Sequence, residues 1–74
     1  PAKKKLVYRE QQELDSLPEK IDVLETEQSQ LTIALSASDL YQNQPDRARE
    51  LSERLNAISA EIEALMDRWA ELEA

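Results

Sequence analysis

The stretch LSERLNAISAEIEALMDRWAEL, residues 51–72, decides the fold. Its apolar residues follow one another in alternating steps of four and three, at Leu51, Leu55, Ile58, Ile62, Leu65, Trp69 and Leu72. Side chains with this spacing fall on one narrow stripe of an α-helix, as they do along the seam of a coiled coil. Residues 51–72 therefore predict a helix that packs lengthwise against a second helix.

A second seam of the same kind precedes the first. It is formed by Leu17, Ile21, Leu24, Leu31 and Leu35, with Gln28 at the one polar position. If the chain folds back at residue 43, each seam residue lies opposite the residue whose number brings the sum to 86, and Leu14 meets Leu72. Every pair then joins an a to a d position, as antiparallel coiled coils require. A turn of about eight residues favours closure within one chain, so we expect a monomer, with pairing between chains as the alternative.

Proline and polar residues set the predicted boundaries. Because Pro18 removes a backbone donor and disfavours a helical Leu17, we predict a break there, with Ser16 and Glu19 as a capping box. The predicted fold is all-α, an antiparallel two-helix coiled-coil hairpin preceded by a short N-terminal helix. Residues 1–5 are predicted to end a linker, and residues 6–74 to form one coiled-coil domain. Its predicted elements are a short helix over about 7–15, a helix over about 18–37, a turn over 38–44 and a helix over about 45–73 that Asn43 caps.

Composition excludes most kinds of catalytic centre. The chain has 74 residues and contains no cysteine, histidine or glycine. Thiolate and imidazole metal ligands, nucleophilic cysteine and glycine-rich phosphate loops are therefore excluded. We expect a non-enzymatic module without a cofactor or metal of its own. No apolar run approaches the roughly 20 residues of a membrane helix, and no signal peptide follows the lysines, so a cytoplasmic protein is expected.

Three motifs carry a resemblance to a known family. KLVYREQQELDSLPEKIDVLE at residues 5–25, DLY at 39–41 and RWAELEA at 68–74 resemble the C-terminal domain of Uup-like proteins, which are ATPases of the F subfamily of ATP-binding cassette proteins (ABC-F). The resemblance covers nearly the whole chain. It implies two nucleotide-binding cassettes upstream, which would bind ATP and Mg²⁺ and hydrolyse the nucleotide. It also implies that this coiled coil binds DNA, or that it acts on the ribosome.

The charges are separated along the chain. Residues 1–9 carry a charge of +4 and the remaining residues −11, within a net charge of −7. In the predicted register Lys20 and Arg68 lie side by side at one end, and they flank the seam. Since like charges there cost stability, either an anionic partner or a nearby Glu19, Asp67 or Glu71 must offset them. The candidate nucleic-acid-binding residues are Lys3, Lys4, Lys5, Arg9, Lys20 and Arg68.

A second basic group lies next to the turn. Its members are Arg47, Arg49 and Arg54, which are secondary candidates because Asp46, Glu50 and Glu53 are interleaved with them. Such a mixture is typical of a salt-bridged helix start. We therefore predict a nucleic-acid (DNA) binding module that contacts phosphates through its basic end. The alternative is a structural or regulatory arm that contacts ribosomal RNA or the cassettes of the longer protein.

Trp69 allows two interpretations. It occupies a seam position opposite Leu17, which predicts a buried hydrophobic contact. An aromatic platform on which bases stack is the functional alternative. The two differ in the exposure that they require of the indole ring.

Overall fold

The part of the chain that the structure describes folds into two long helices and one short helix. The computed structural model describes residues 6–37 and 39–74, and the described residues contain no strand. The helices are α1 (Tyr8–Leu35), α2 (Leu40–Asn43) and α3 (Pro45–Glu73). The predicted all-α class is confirmed. The molecule is elongated, with extents of 56 × 18 × 15 Å.

The two long helices pack against each other along their seams. Arg68 of α3 forms an ion pair with Glu13 of α1, and Arg54 forms one with Glu27. A residue later in α1 therefore meets a residue earlier in α3, so the two helices run antiparallel. α2 packs against α3 at the end where the chain reverses.

The core is one row of apolar side chains between α1 and α3. Its buried residues are Ile21, Leu31, Ile58 and Ile62, and Leu24, Leu51, Leu55, Leu65 and Trp69 pack around them. Ile58 and Leu17 are the most deeply buried large side chains, with 0% and 1% of their surface exposed. Burying one such side chain contributes about 1.5–3 kcal/mol, so the seam supplies most of the stabilisation that holds the helices together.

Gln28 occupies the one polar position of the α1 seam. Its side-chain amide donates a hydrogen bond to the hydroxyl of Ser59 on α3, at 3.1 Å. Because a partly buried amide must find an acceptor, this bond offsets the cost of placing a polar group beside the core.

The predicted break at Pro18 is wrong. α1 is one helix of 28 residues with Pro18 inside it, so the separate helices over 7–15 and 18–37 do not exist. Ser16 does not cap a helix start, since its hydroxyl donates to the carbonyl of Glu13 at 2.8 Å. The helix begins earlier, where the N–H of Val7 donates to the carboxylate of Glu10 at 3.2 Å.

Tertiary packing explains why the helix continues through the proline. Pro18 is exposed, whereas Leu17 and Ile21, on the face toward α3, are buried together with Leu72. A proline in a helix interior costs about 3 kcal/mol, which is less than the gain from burying two large apolar side chains and Leu72. The Glu13–Arg68 ion pair also ties the segment before Pro18 to α3.

The reversal of the chain differs in detail from the prediction. α1 ends at Leu35, and the segment predicted as a turn contains the single helical turn α2. Pro45 is the first residue of α3, as its fixed φ favours, but Gln44 and not Asn43 is the N-cap residue. Residue 38 of the predicted turn lies outside the described residues.

Candidate functional site

The open end is the end of the molecule where α1 begins and α3 finishes. Arg9, Lys20 and Arg68 of the predicted basic cluster belong to α1 and α3 near this end. Lys3, Lys4 and Lys5 precede α1 and lie outside the described residues. The structure therefore tests the surroundings of three of the six candidates.

Arg68 is engaged by carboxylates. Its Nε and Nη2 donate to the two carboxylate oxygens of Glu13 across the helix interface, at 2.6 and 2.9 Å. Its Nη1 donates to Glu71 on its own helix at 3.5 Å. A two-point guanidinium–carboxylate contact is among the stronger ion-pair geometries in proteins. Arg68 therefore joins α1 to α3, and its charge is already balanced.

The ion pair changes the proton affinity of both partners. The hydrogen bond from Arg68 lowers the pKa of Glu13, partial desolvation opposes this, and the charges of Arg68 and Lys20 add to the lowering. The hydrogen bond that Arg68 donates to Glu13 raises the pKa of Arg68. Lys20 and Arg68 both act on the Glu13 carboxylate, so Glu13 offsets the predicted pair of like charges, together with the predicted contact of Glu71 with Arg68.

Arg9 and Lys20 are exposed. Within residues 6–37 and 39–74, they are the two basic side chains outside any ion pair. Eleven residues are close to three helical turns, so Arg9 and Lys20 lie on one face of α1 about 16 Å apart. These two cations can take an anionic partner without breaking an existing ion pair.

The second basic group is paired throughout. Arg47 contacts Glu50 at 3.7 Å and Arg49 contacts Asp46 at 3.0 Å, both within the first turns of α3. Arg54 binds both carboxylate oxygens of Glu27 on α1, at 2.8 and 2.9 Å. The hydrogen bond from Arg54 lowers the pKa of Glu27. The salt-bridged helix start that the sequence predicted is present.

Glu13 and Glu27 are the residues that sequence reasoning missed. The sequence contained a signal for these ion pairs. Glu13 and Glu27 on α1 are fourteen positions apart, and so are Arg54 and Arg68 on α3. In both pairs the residue numbers add up to 81. The predicted register instead sets Lys20 beside Arg68, with the sum 88.

Trp69 packs against the hydrophobic core and is half-buried. Its ring therefore serves mainly as a hydrophobic contact near the open end. The exposed aromatic side chains are Tyr8 and Tyr41, at 77% and 57% exposure.

Neither a metal site nor a membrane span is found in the described part of the chain. Residues 6–37 and 39–74 contain no cluster of three acidic side chains arranged to hold a metal ion. No helix among these residues is long and apolar enough to cross a membrane.

Comparison with known proteins identifies the family. The sequence profile described as ABC transporter C-terminal domain matches residues 5–74, which contain both long helices and the ion pairs between them. The chain belongs to this family. The resemblance of the three motifs to the C-terminal domain of Uup-like ATPases is thereby confirmed.

Individual relatives of this ABC transporter C-terminal domain agree with the profile. The chain is 34% identical to an ATP-binding protein Uup-like of Haemophilus influenzae, over 99% of the chain and 16% of the relative. It is 39% identical to the ABC transporter ATP-binding protein YfmR of Bacillus subtilis, over 95% of the chain and 11% of the relative. The chain thus spans a small part of the length of these proteins. No solved structure matches it.

The two interhelical ion pairs of this ABC transporter C-terminal domain predict a pH dependence. Since the pKa of Glu13 and of Glu27 is lowered in the folded state, each pair stabilises the fold above the ordinary value of 4.5. This stabilisation is lost as the pH falls below 4.5 and both carboxylates take up a proton. We expect the melting temperature of the protein to fall between pH 5 and pH 3. In the double variant Glu13→Gln/Glu27→Gln, which lacks both ion pairs, the fall over the same pH range should be smaller. An equal fall in both proteins would contradict the assignment.

Proposed function

We propose that the chain is a non-catalytic coiled-coil arm of an ABC-F ATPase and that it binds nucleic acid through its basic open end. The two long antiparallel helices are the body of this arm, which we take to be an intramolecular, monomeric hairpin. ATP and Mg²⁺ chemistry would belong to the parts of the longer protein outside the matched segment.

One observation carries the proposal, the separation of charge along the chain. Four positive charges lie in residues 1–9, on a chain with a net charge of −7. On the described residues the exposed and unpaired cations, Arg9 and Lys20, share one face of α1. Lys3, Lys4 and Lys5 extend the basic sequence before this face. A local excess of positive charge on an otherwise acidic rod directs a polyanion to one end.

The proposed contacts are with phosphates. Contacts of lysine and arginine side chains with phosphates position a protein on nucleic acid and carry no sequence information of their own. We therefore assign backbone contacts to Lys3, Lys4, Lys5, Arg9 and Lys20. Arg68 holds the surface in place through Glu13, because its guanidinium is already engaged.

Salt dependence of binding tests the proposal. With three or four phosphates engaged on duplex DNA, the logarithm of the association constant should fall with the logarithm of salt concentration with a slope of roughly −3. The double variant Arg9→Gln/Lys20→Gln should flatten this slope by about two. Electrophoretic or fluorescence titration with duplex DNA, single-stranded DNA and structured RNA measures the slope for each.

The matched control changes the same charge at the other end of the arm. Arg47→Gln/Arg49→Gln removes two positive charges next to the turn and should leave the slope unchanged. If both double variants weaken binding equally, net charge and not the open end governs binding. If the original protein shows no salt-dependent binding to any of the three nucleic acids, the proposal is wrong.

The second candidate is a structural or regulatory arm that contacts the ribosome or the cassettes of the longer protein. It is favoured by two exposed apolar side chains on α1, Val23 and Ile33, which are 61% and 71% exposed. Val23→Ser/Ile33→Ser should then change the ATPase activity of the longer protein without changing nucleic-acid affinity. This outcome separates the second candidate from the first.

A further inference from the structure

One edge of the interface between α1 and α3 carries a repeated ion pair. Glu13–Arg68 and Glu27–Arg54 are both two-point contacts, and they lie fourteen residues apart on each helix. Fourteen residues are two heptads, so the two pairs occupy equivalent places along the seam. The register is therefore the same at both pairs.

The heptad between the two pairs has the opposite polarity. Lys20 on α1 and Glu61 on α3 lie seven residues from each ion pair, and their numbers also add up to 81. Both side chains line the same shallow groove between the helices. Lys20 lowers the pKa of Glu13, and the charge of Glu61 raises the pKa of Arg54. The middle positions thus interact with the ion pairs on either side of them. We call the six residues Glu13, Lys20, Glu27, Arg54, Glu61 and Arg68 the charged row.

The apolar seam alone distinguishes neighbouring registers only by the contacts at its ends. A slip of α1 along α3 by one heptad still places a positions opposite d positions, at the cost of the contacts at one end. The charged row responds differently to such a slip. In one direction Glu13 meets Glu61 and Lys20 meets Arg54. In the other direction Lys20 meets Arg68 and Glu27 meets Glu61.

The opposite edge of the interface offers no comparable selection. Among the described residues, the groove on that side is lined by uncharged side chains, including Gln28, Thr32 and Ser59. Gln28 donates a hydrogen bond to Ser59 here, which a slip would break, but no ion pair between described residues spans this groove. Discrimination between registers by charge is therefore concentrated on one edge.

We propose that the charged row fixes the register in which α1 pairs with α3 and excludes a slip of one heptad. Ion pairs at the two outer levels, with the opposite charges of Lys20 and Glu61 between them, favour the observed register. The reversed polarity of the middle level makes both slipped registers repulsive at two levels each, and like charges in contact across a helix interface oppose pairing. The arm consequently keeps one length and one arrangement of its open end.

Distance measurement between spin labels tests the register directly. The chain has no cysteine, so Gln30→Cys and Ala70→Cys, both at exposed positions, accept labels without side reactions. A slip of seven residues moves one helix along the other by about 10 Å. Residues 30 and 70 lie at different levels along the hairpin axis. A slip in one direction therefore shortens the distance between the labels, and a slip in the other direction lengthens it. The protein itself should give a single distance population.

Two charge variants decide the proposal. Arg54→Glu/Glu61→Arg/Arg68→Glu makes the observed register repulsive and both slipped registers attractive, so a population displaced by about 10 Å should appear at low salt. Adding Glu13→Arg/Lys20→Glu/Glu27→Arg restores opposite charges at every level. This sixfold variant should return to the single original distance.

Either variant can overturn the proposal. A triple variant that keeps only the original distance shows that the seam and the turn fix the register without the charges. If the triple variant unfolds, the sixfold variant decides. Recovery of the fold with the original distance supports the charged row, and failure to recover contradicts it.

Discussion

Replacing Ile58 with alanine is expected to lower the free energy of unfolding by about 3 kcal/mol. Ile58 is fully buried and belongs to the cluster that contains Ile21, Leu31 and Ile62. Truncation removes apolar surface from the middle of the seam and leaves a cavity that the two packed helices close only in part. Urea unfolding followed by circular dichroism measures the change.

The matched control for this substitution is Ile33→Ala. Ile33 lies on α1 and is 71% exposed, so the same chemical change should alter the free energy of unfolding by less than about 0.5 kcal/mol. Equal losses at the two positions would show that Ile33 packs against a second surface. They would contradict the assignment of the core to one row between α1 and α3.

Replacing Pro18 with alanine is expected to raise the free energy of unfolding by about 2 kcal/mol. Proline in a helix interior is about 3 kcal/mol less favourable than alanine, because it lacks the N–H that would bond to the carbonyl of Leu14. The greater freedom of the unfolded chain without proline offsets about 0.4–1 kcal/mol of the gain. Pro18 is exposed, so no buried contact is lost.

Pro45→Ala is the control for the proline substitution. Pro45 is the first residue of α3, where the missing N–H has no intrahelical partner in any case. This change should leave stability nearly unaltered or lower it slightly. If Pro18→Ala also had no effect on the melting temperature, the chain would be non-helical around Pro18 in solution, and the continuous α1 would be wrong.

The seams and the all-helical class could be predicted from the sequence, whereas the continuity of α1 could not. The spacing of Leu51 to Leu72 depends only on which residues are apolar, and that information is local and strong. The effect of Pro18 depends on a comparison between a local penalty and burial against α3. Local rules contain the penalty alone, so they favoured a break that the packing of Leu17 and Leu72 prevents.

The candidate site could also be predicted from the sequence only in part. The basic residues were found from composition, but their availability depends on which carboxylate each one reaches. Arg68 had several acidic neighbours in the sequence, and the cross-helix partner Glu13 became identifiable only once the offset of the helices was known. Charge counting therefore finds an electropositive end, and geometry then separates Arg9 and Lys20 from the cations that hold the arm together.

The elongated shape has a mechanical consequence. A body of 56 × 18 × 15 Å with its two helices joined along their length resists bending and twisting as a unit. If one end is attached to a partner that rotates by a few degrees, the far end sweeps through several ångström, as in hinge movements of rigid elements. The interhelical ion pairs Glu13–Arg68 and Glu27–Arg54 oppose sliding of one helix past the other. A rotation at one end would therefore be transmitted to the far end.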